Sequence, residues 1–192
     1  MHAAARIGPN AVLQHLPVLD AAIGPAHRGA LLHCAGVTAP PADAGMLPED
    51  EVARLHHAVR LFLPDRAPAI QRAAGIATGG YILAHRIPRP AQALIRALPA
   101  GAGARLLAMA IAKHAWTFAG SGRFRVAGHA PLRLEITANP LATGPADGPI
   151  CHWHSAVFET LFGALVWPRL QVVEQSCAAC GDACCRFVVT PR

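Results

Sequence analysis

The spacing of hydrophobic and polar residues changes near residue 120, and the two parts of the chain predict different secondary structure. Before that point, apolar residues recur every three or four positions, as in the segment 52–63, which is typical of amphipathic helices. After Gly120-Ser-Gly122 the period falls to two, and the segment 132–137 alternates apolar with polar residues, as half-buried antiparallel strands do. The pattern therefore predicts an α+β fold in which N-terminal helices pack on a small antiparallel sheet.

The individual elements follow from this period together with proline, glycine and capping residues. Helical segments are predicted at 9–19, 49–63, 68–86, 91–98 and 104–118. The last of these is apolar on most sides, so we predict that it is central and buried. In the second part, strands are predicted around 124–126, 132–137, 170–174 and 185–189, with a loop at 139–149. One further helix is predicted to be capped by Ser155 and to end before Pro168.

A chain of 192 residues corresponds to a single domain, residues 1–192. Within it, 1–119 is predicted to be mainly helical, and 120–192 to hold the sheet, one helix and a cysteine-rich hairpin. Hydrophobic residues make up 53% and charged residues 15%, which excludes a disordered protein. No stretch approaches the roughly 20 apolar residues of a membrane-spanning helix, and the N-terminal MHAAARIGPN has no apolar core of a secretory signal. We expect a cytoplasmic protein with an apolar core or pocket.

The charged residues narrow the class of partner. Seventeen Lys and Arg against 11 Asp and Glu give a net charge of +6, with the basic residues scattered along the chain. Scattered charge is typical of a solvated surface. The alternative is a surface that meets anionic headgroups or carboxylates. Nucleic-acid binding is not predicted, because no recognition motif or aromatic platform accompanies the charge.

Six cysteines suggest the chemistry, because four of them lie between residues 177 and 185. In a reducing compartment such a cluster indicates metal binding or redox activity rather than disulfides. The sequence predicts a hairpin that turns at Gly181-Asp182, and adjacent Cys184 and Cys185 point to opposite faces of a strand. Spacing alone leaves the ligand set open. The candidates are Cys177, Cys180, Cys184 and Cys185 of the hairpin, Cys151, His152 and His154. A dithiol redox pair and inert packing are the other two interpretations.

The pattern Glu174-x2-Cys177-x3-Gly181-x3-Cys185-x-Phe187 resembles the closing signature of the 4-vinyl-reductase domain family. This resemblance implies a structural Zn²⁺ held by Cys151, Glu174, Cys177 and Cys185. It also implies an α+β fold similar to the nitric-oxide-signalling and Golgi-transport ligand-binding folds, and a homodimer. Cys34, Cys180 and Cys184 remain without an assigned role.

Four further stretches resemble the bacteriochlorophyll-biosynthesis branch of this family in purple phototrophs: RIGPN from Arg6, YILAHRIP from Tyr81, KHAWTFAGSG from Lys113 and CHWH from Cys151. The resemblance implies a role in reducing the C8 vinyl group of a divinyl chlorophyllide-type Mg-tetrapyrrole. It also implies a location peripheral to the photosynthetic membrane, and other enzymes of that pathway as partners.

The sequence favours a binding or carrier protein over an autonomous enzyme, because no GxGxxG opens a βα unit to hold NADPH. An apolar pocket would suit a flat pigment, and its candidate residues are His114, Trp116, Phe118, Phe124 and His129. Arg89, Arg105 or Lys113 are candidates to meet a propionate. The alternatives are an NADPH-dependent reductase and a small-molecule sensing module. The third is less expected, because no ATPase or DNA-binding region follows the last strand.

Overall fold

Helices fill the first part of the chain, and an antiparallel sheet forms in the second. The computed structural model describes residues 5–192, so the first four residues of the N-terminal stretch discussed above lie outside the described residues. The helices are α1 (Asn10–Leu13), α2 (His15–Ala35), α3 (Glu49–Phe62), α4 (Ala67–His85), α5 (Arg89–Ala97), α6 (Ala100–Lys113), α7 (Trp116–Ala119) and α8 (His152–Leu165). The strands are β1 (Arg6–Ile7), β2 (Leu47–Pro48), β3 (Arg123–His129), β4 (Leu132–Thr137), β5 (Leu170–Ser176) and β6 (Cys185–Pro191).

The main sheet has the strand order β3-β4-β6-β5, and every neighbouring pair is antiparallel. Its inner face is apolar: Leu134 pairs with Phe187, Ile136 pairs with Cys185, and all four are fully buried. A short pair formed by β1 and β2 lies apart from this sheet. The predicted α+β fold is confirmed. Among the described residues, no helix is long and apolar enough to cross a bilayer.

The helix that runs through the core is α8, and it packs closely on α4. A Cβ atom at Gly75 would lie 2.5 Å from the Trp153 carbonyl oxygen, and one at Gly79 would lie 2.6 Å from Thr160 Cβ. Because only glycine lacks that atom, these two positions let the helix backbones approach. This contact fixes the first turn of α8, and with it the residues described below.

Two predictions about the helical part are wrong. The segment 104–118 is divided: α6 ends at Lys113, and the separate turn α7 begins at Trp116. The helix is not central, since Met109 is 63% exposed and only the stripe that includes Leu107 and Ile111 is buried. The prediction failed because alanine, glycine and methionine raise the mean hydropathy of a helix without requiring burial.

Two helix boundaries also differ from the prediction. The chain does not leave the helix at Gly24-Pro25. Instead α2 continues to Ala35 across a kink in which Gly24 takes φ 81°. Glycine supplies the conformation that breaks the helix, and proline suits the first turn of the helix that restarts. In α8, the N-cap position belongs to Cys151 rather than Ser155. Ser155 lies inside the helix and donates its backbone N–H to the Cys151 carbonyl at 3.0 Å.

Candidate metal centre

Four side chains from separate elements converge beside the first turn of α8. Cys151 precedes α8, Glu174 lies on the inner face of β5, Cys177 follows that strand, and Cys185 begins β6. One ligand atom from each residue, three sulfurs and one carboxylate oxygen, lies within 4.8 Å of all the others. We call these four residues the clasp. In a tetrahedral site with Zn–S bonds of about 2.3 Å the sulfurs lie about 3.8 Å apart, so small shifts would close the clasp on an ion.

Hydrogen-bond donors surround the clasp. Asn139 Nδ2 donates to Cys151 Sγ at 3.4 Å and to Cys185 Sγ at 3.5 Å. The Ala178 backbone N–H donates to Cys185 Sγ at 3.4 Å, and the Cys151 N–H donates to Glu174 Oε2 at 2.8 Å. Donors of this kind stabilise thiolate and carboxylate charge and orient the ligands. The clasp is therefore prepared for a negatively charged ligand set.

The second carboxylate oxygen of Glu174, Oε1, is buried and has no hydrogen-bond partner among residues 5–192. A buried acceptor without a partner costs free energy unless something else satisfies it. An orphaned oxygen among three sulfurs is what a soft or borderline divalent cation would satisfy. The donor set of the clasp therefore fits Zn²⁺.

The ionisation of the clasp residues shows how strongly they interact. Hydrogen bonds from Cys151 and Cys185 hold the pKa of Cys177 far below its usual range. The hydrogen bonds of Cys151 with Cys177 and Cys185, together with burial, raise the pKa of Cys151. Burial, reinforced by the neighbouring Cys177, raises the pKa of Glu174 to about 8. One negative charge is therefore favoured at Cys177, and further ionisation of the clasp requires a cation.

Sequence reasoning missed two residues beside the clasp, Asn139 and Arg60. Asn139 fell within the predicted loop 139–149, yet it is buried and contacts two of the three sulfurs. Arg60 lies in α3 and donates from Nη2 to the Thr143 carbonyl at 2.9 Å. Burial lowers the pKa of this guanidinium, while Cys151 and Cys177 raise it. No local sequence signal marks either residue, because both reach the clasp from elements distant in sequence.

The remaining candidates for ligands lie outside the clasp. Cys180 is exposed and Cys184 is partly exposed, whereas Cys185 faces the core. Neither His152 nor His154 belongs to the converging group. The His154 ring packs among aromatic side chains, 6.0 Å from the Phe187 ring centroid.

The five residues proposed from sequence for the ligand pocket do not form one group. Phe118 and Phe124 meet at a centroid distance of 5.4 Å and both contact Phe158, so they belong to the aromatic core. His114 and His129 are exposed, and Trp116 is 57% exposed. The assignment of a pigment pocket to these five residues stays a prediction.

A second polar cluster, unforeseen from sequence, lies on the other side of the first turn of α8. His15, His56 and His154 are buried beside Trp153, and we call these three histidines the histidine cluster. Ring centroids are 4.6 Å apart for His15 and His56, and 4.9 Å for Trp153 and His154. Neither ring nitrogen of His15 has a hydrogen-bond partner within the described residues. Burial lowers the pKa of both His15 and His154 to about 4, so the rings are neutral.

Comparison with other proteins places the chain among known relatives. The bacteriochlorophyll synthase 23 kDa chain of Cereibacter sphaeroides is 56% identical over 188 residues, which cover 97% of this chain and 91% of the relative. This chain belongs to the bacteriochlorophyll synthase 23 kDa chain family. The member of that family from Rhodobacter capsulatus is 52% identical, over 97% of this chain and 88% of its own length. The family model of the 4-vinyl-reductase domain matches residues 132–191, which contain the whole clasp.

Solved structures with the same fold are H-NOX proteins. One from K. algicida superposes with a TM-score of 0.63 over 97% of both chains at 10% identity. Another, from S. oneidensis, has a TM-score of 0.57, covers 97% of this chain and 99% of its own, and is 12% identical. At such low identity the likeness concerns the fold alone. It agrees with the predicted similarity to a nitric-oxide-signalling fold.

Proposed function

We propose that this protein binds a Mg-tetrapyrrole intermediate of bacteriochlorophyll biosynthesis and serves as a binding or carrier protein when the C8 vinyl group is reduced. The observation that carries the proposal is the 56% identity, over nearly the whole chain, to a protein named bacteriochlorophyll synthase 23 kDa chain. The match of the 4-vinyl-reductase domain to residues 132–191 supports the link to vinyl reduction. The partners in this proposal are the pigment and other enzymes of the pathway.

Zinc in the clasp has a structural role in this proposal. Three cysteines and Glu174 supply a full set of four protein ligands, and closed four-ligand zinc sites are usually structural. The ion would join the N-terminus of α8 to β5 and β6. Glu174 and Cys177 would contribute the charge that the surrounding N–H donors already favour.

A groove between the C-terminal half of α4 and α5 is the proposed pigment site. It has a volume of about 510 Å³ and is lined by Gly80, Leu83, Ala84, Arg89, Gln92 and Arg96. This volume lies within the range of about 300–1,000 Å³ that small-molecule sites take. Leu83 and Ala84 offer an apolar wall to a flat ring, and the Arg89 guanidinium is exposed and available to a propionate.

Two features of this groove suit a rigid flat ligand. A Cβ atom at Gly80 would meet no atom within 4 Å, so this part of α4 is open to a ring. Gln92 donates to the carbonyls of Leu83 and Ile87 at 2.7 Å and 2.9 Å, which ties α5 to the end of α4. The wall of the groove is therefore fixed before a ligand arrives, which reduces the entropy lost on binding.

The test is a pigment titration with Gly80→Phe and a matched control. We expect the purified protein to shift the absorption of divinyl protochlorophyllide, and Gly80→Phe to weaken binding at least about tenfold by filling the groove. Gly163→Phe is the control, because Gly163 is also open and lines a different groove, beside Arg72. No spectral change with the wild-type protein would refute pigment binding. A loss confined to Gly163→Phe would refute the site.

The second candidate function is an autonomous 4-vinyl reductase, which the match to the 4-vinyl-reductase domain favours. Reduction of the vinyl group adds two electrons and two protons, so this function needs a hydride donor such as NADPH. Incubation of the purified protein with divinyl pigment and NADPH distinguishes the two functions. A carrier leaves the 8-vinyl group intact, whereas a reductase converts it to 8-ethyl.

A further inference from the structure

All acidic residues are absent from a long internal part of the chain. Residues 66–134 hold ten Lys or Arg and no Asp or Glu, while the rest of the chain holds the other seven cations and all 11 acids. This part runs from the start of α4 to the middle of β4. The net charge of +6 is therefore distributed very unevenly, although the cations themselves are evenly spaced.

Some of these cations are neutralised in the fold and some are not. Arg72 pairs with Glu159 at 2.9 Å, and Arg125 pairs with the buried Glu135. Arg105 and Lys113 of α6, by contrast, have no ion-pair partner among the described residues. The surface around α6 consequently carries uncompensated positive charge.

The same helix exposes apolar side chains. The buried stripe of α6 includes Ala104, Leu107 and Ile111, which leaves the opposite side to solvent. Arg105, Met109 and Lys113 follow one another at intervals of four residues, so they lie along that exposed side. Met109 is 63% exposed, and Trp116 in the next turn, α7, is 57% exposed. We call Arg105, Met109, Lys113 and Trp116 the α6 face.

We propose that the α6 face docks this protein on the surface of an anionic lipid bilayer. Basic residues that flank exposed apolar side chains on a helix are the signature of an element that lies in the plane of a membrane interface. Tryptophan prefers the headgroup region because its ring is apolar and its N–H is polar. Arg105 and Lys113 would meet lipid phosphates while Met109 and Trp116 enter the acyl boundary.

Lipid accounts for the α6 face better than an acidic protein partner does. An interface with a protein needs directional polar partners and tends to place mixed charges around its apolar centre. The α6 face has cations of one sign only, and small side chains at Ala102 and Ala110 surround its apolar residues. A bilayer requires no fixed partner positions, and its surface potential favours each cation separately.

The experiment is co-sedimentation of the full chain with vesicles, without pigment, so its result does not depend on the proposed function. We expect binding to vesicles of equal phosphatidylcholine and phosphatidylglycerol, weak binding to phosphatidylcholine alone, and release by salt. Arg105→Glu with Lys113→Glu should reduce binding by about thirtyfold or more, since each cation near an anionic surface contributes roughly a factor of five. Met109→Ser with Trp116→Ser should also reduce it.

Matched variants keep the proposal falsifiable. Arg169→Glu with Arg192→Glu changes the net charge equally at two exposed positions outside residues 66–134, and should bind far better than the α6 double variant. Circular dichroism checks that each variant is folded. Equal losses in the two charge variants would overturn the α6 face, because binding would then follow net charge alone. Failure to bind the mixed vesicles together with binding to polyglutamate would overturn the proposal in favour of an acidic protein partner.

Discussion

The clasp and the histidine cluster flank the first turn of α8, and both are buried and rich in titratable side chains. In the clasp, ligand atoms converge within 4.8 Å and backbone and amide N–H groups point toward them. In the histidine cluster, the rings of His15 and His56 meet edge to face, and both nitrogens of His15 lack partners within the described residues. Convergence prepares one cluster for a cation, whereas desolvation keeps the other neutral.

The difference shows that burial alone does not make a binding site. The same helix turn carries Cys151 into one cluster and His154 into the other, only three residues apart. What separates them is the direction of the polar atoms and the supply of donors around them. The predictions below test this contrast, beginning with the largest expected effect.

Removing one thiol should break the clasp. Cys177→Ser or Cys185→Ser should abolish stoichiometric zinc and lower the free energy of unfolding by more than about 3 kcal/mol, because metal binding is coupled to folding. Metal analysis and denaturant unfolding of the purified variants provide the check. Cys184→Ser is the control, since Cys184 is only partly buried and lies outside the clasp. Zinc lost only in variants of Cys180 and Cys184 would contradict the ligand assignment.

Moving the first turn of α8 should disturb both clusters together. At Gly75 an added Cβ would lie 2.5 Å from the Trp153 carbonyl and 2.7 Å from Ala156 Cβ. Gly75→Ala should therefore cost about 2–3 kcal/mol and weaken zinc binding as well. Gly80→Ala is the matched control on the same helix, where open space and better helix propensity predict a gain of up to about 1 kcal/mol. If both variants unfold alike, the close approach of α4 and α8 does not support the clusters.

Acid should destabilise the fold through the histidine cluster. His15 has a folded pKa of about 4, below its unfolded value of 6.5, so the neutral ring contributes stability above the unfolded value. That stability is lost as pH falls from 6.5 through about 4, and the loss amounts to about 2 kcal/mol between about pH 7 and about pH 5. Unfolding at both pH values should show a dependence that is weaker in His15→Leu by this amount. Exposed His33→Leu should match the wild type.

The smallest effect separates the donors around the clasp from its ligands. Asn139→Ala keeps all four ligands and removes the amide that contacts two sulfurs. Zinc affinity should fall by roughly tenfold, as it does when residues that orient metal ligands are replaced. Competition with a chromophoric chelator measures this change. The acid dependence due to His15 should stay as in the wild type, and a shift in both would show that the clusters are coupled.

Alternation was the most reliable signal in the sequence. Leu132, Leu134 and Ile136 were predicted on one face of a strand, and all three are buried in β4. The helical part was harder, because alanine and glycine fit many surroundings. The apolar segment 104–118 was predicted to be central, whereas α8 occupies the core. Hydropathy measured the composition of both segments but did not identify which one has neighbours on every side.

The candidate site divides in the same way. Spacing in the hairpin narrowed the choice between Cys184 and Cys185, and the family signature added Glu174 and Cys151. Asn139, Arg60 and the histidine cluster could not be predicted, because each contact joins residues far apart in sequence. His15 and His56, for example, lie on α2 and α3 and meet only when those helices pack.

The sequence by itself determined the α+β class, the strand phase that turns Cys185 inward, and the absence of acids from residues 66–134. These properties are local, since they follow from residue type and period along one segment. Only the tertiary structure decided that the sulfurs of three distant segments meet Glu174, that three histidines are buried beside Trp153, and that the α6 face is left exposed. Each depends on which surfaces pack together, and a chain specifies that through the summed fit of many contacts rather than through one pattern.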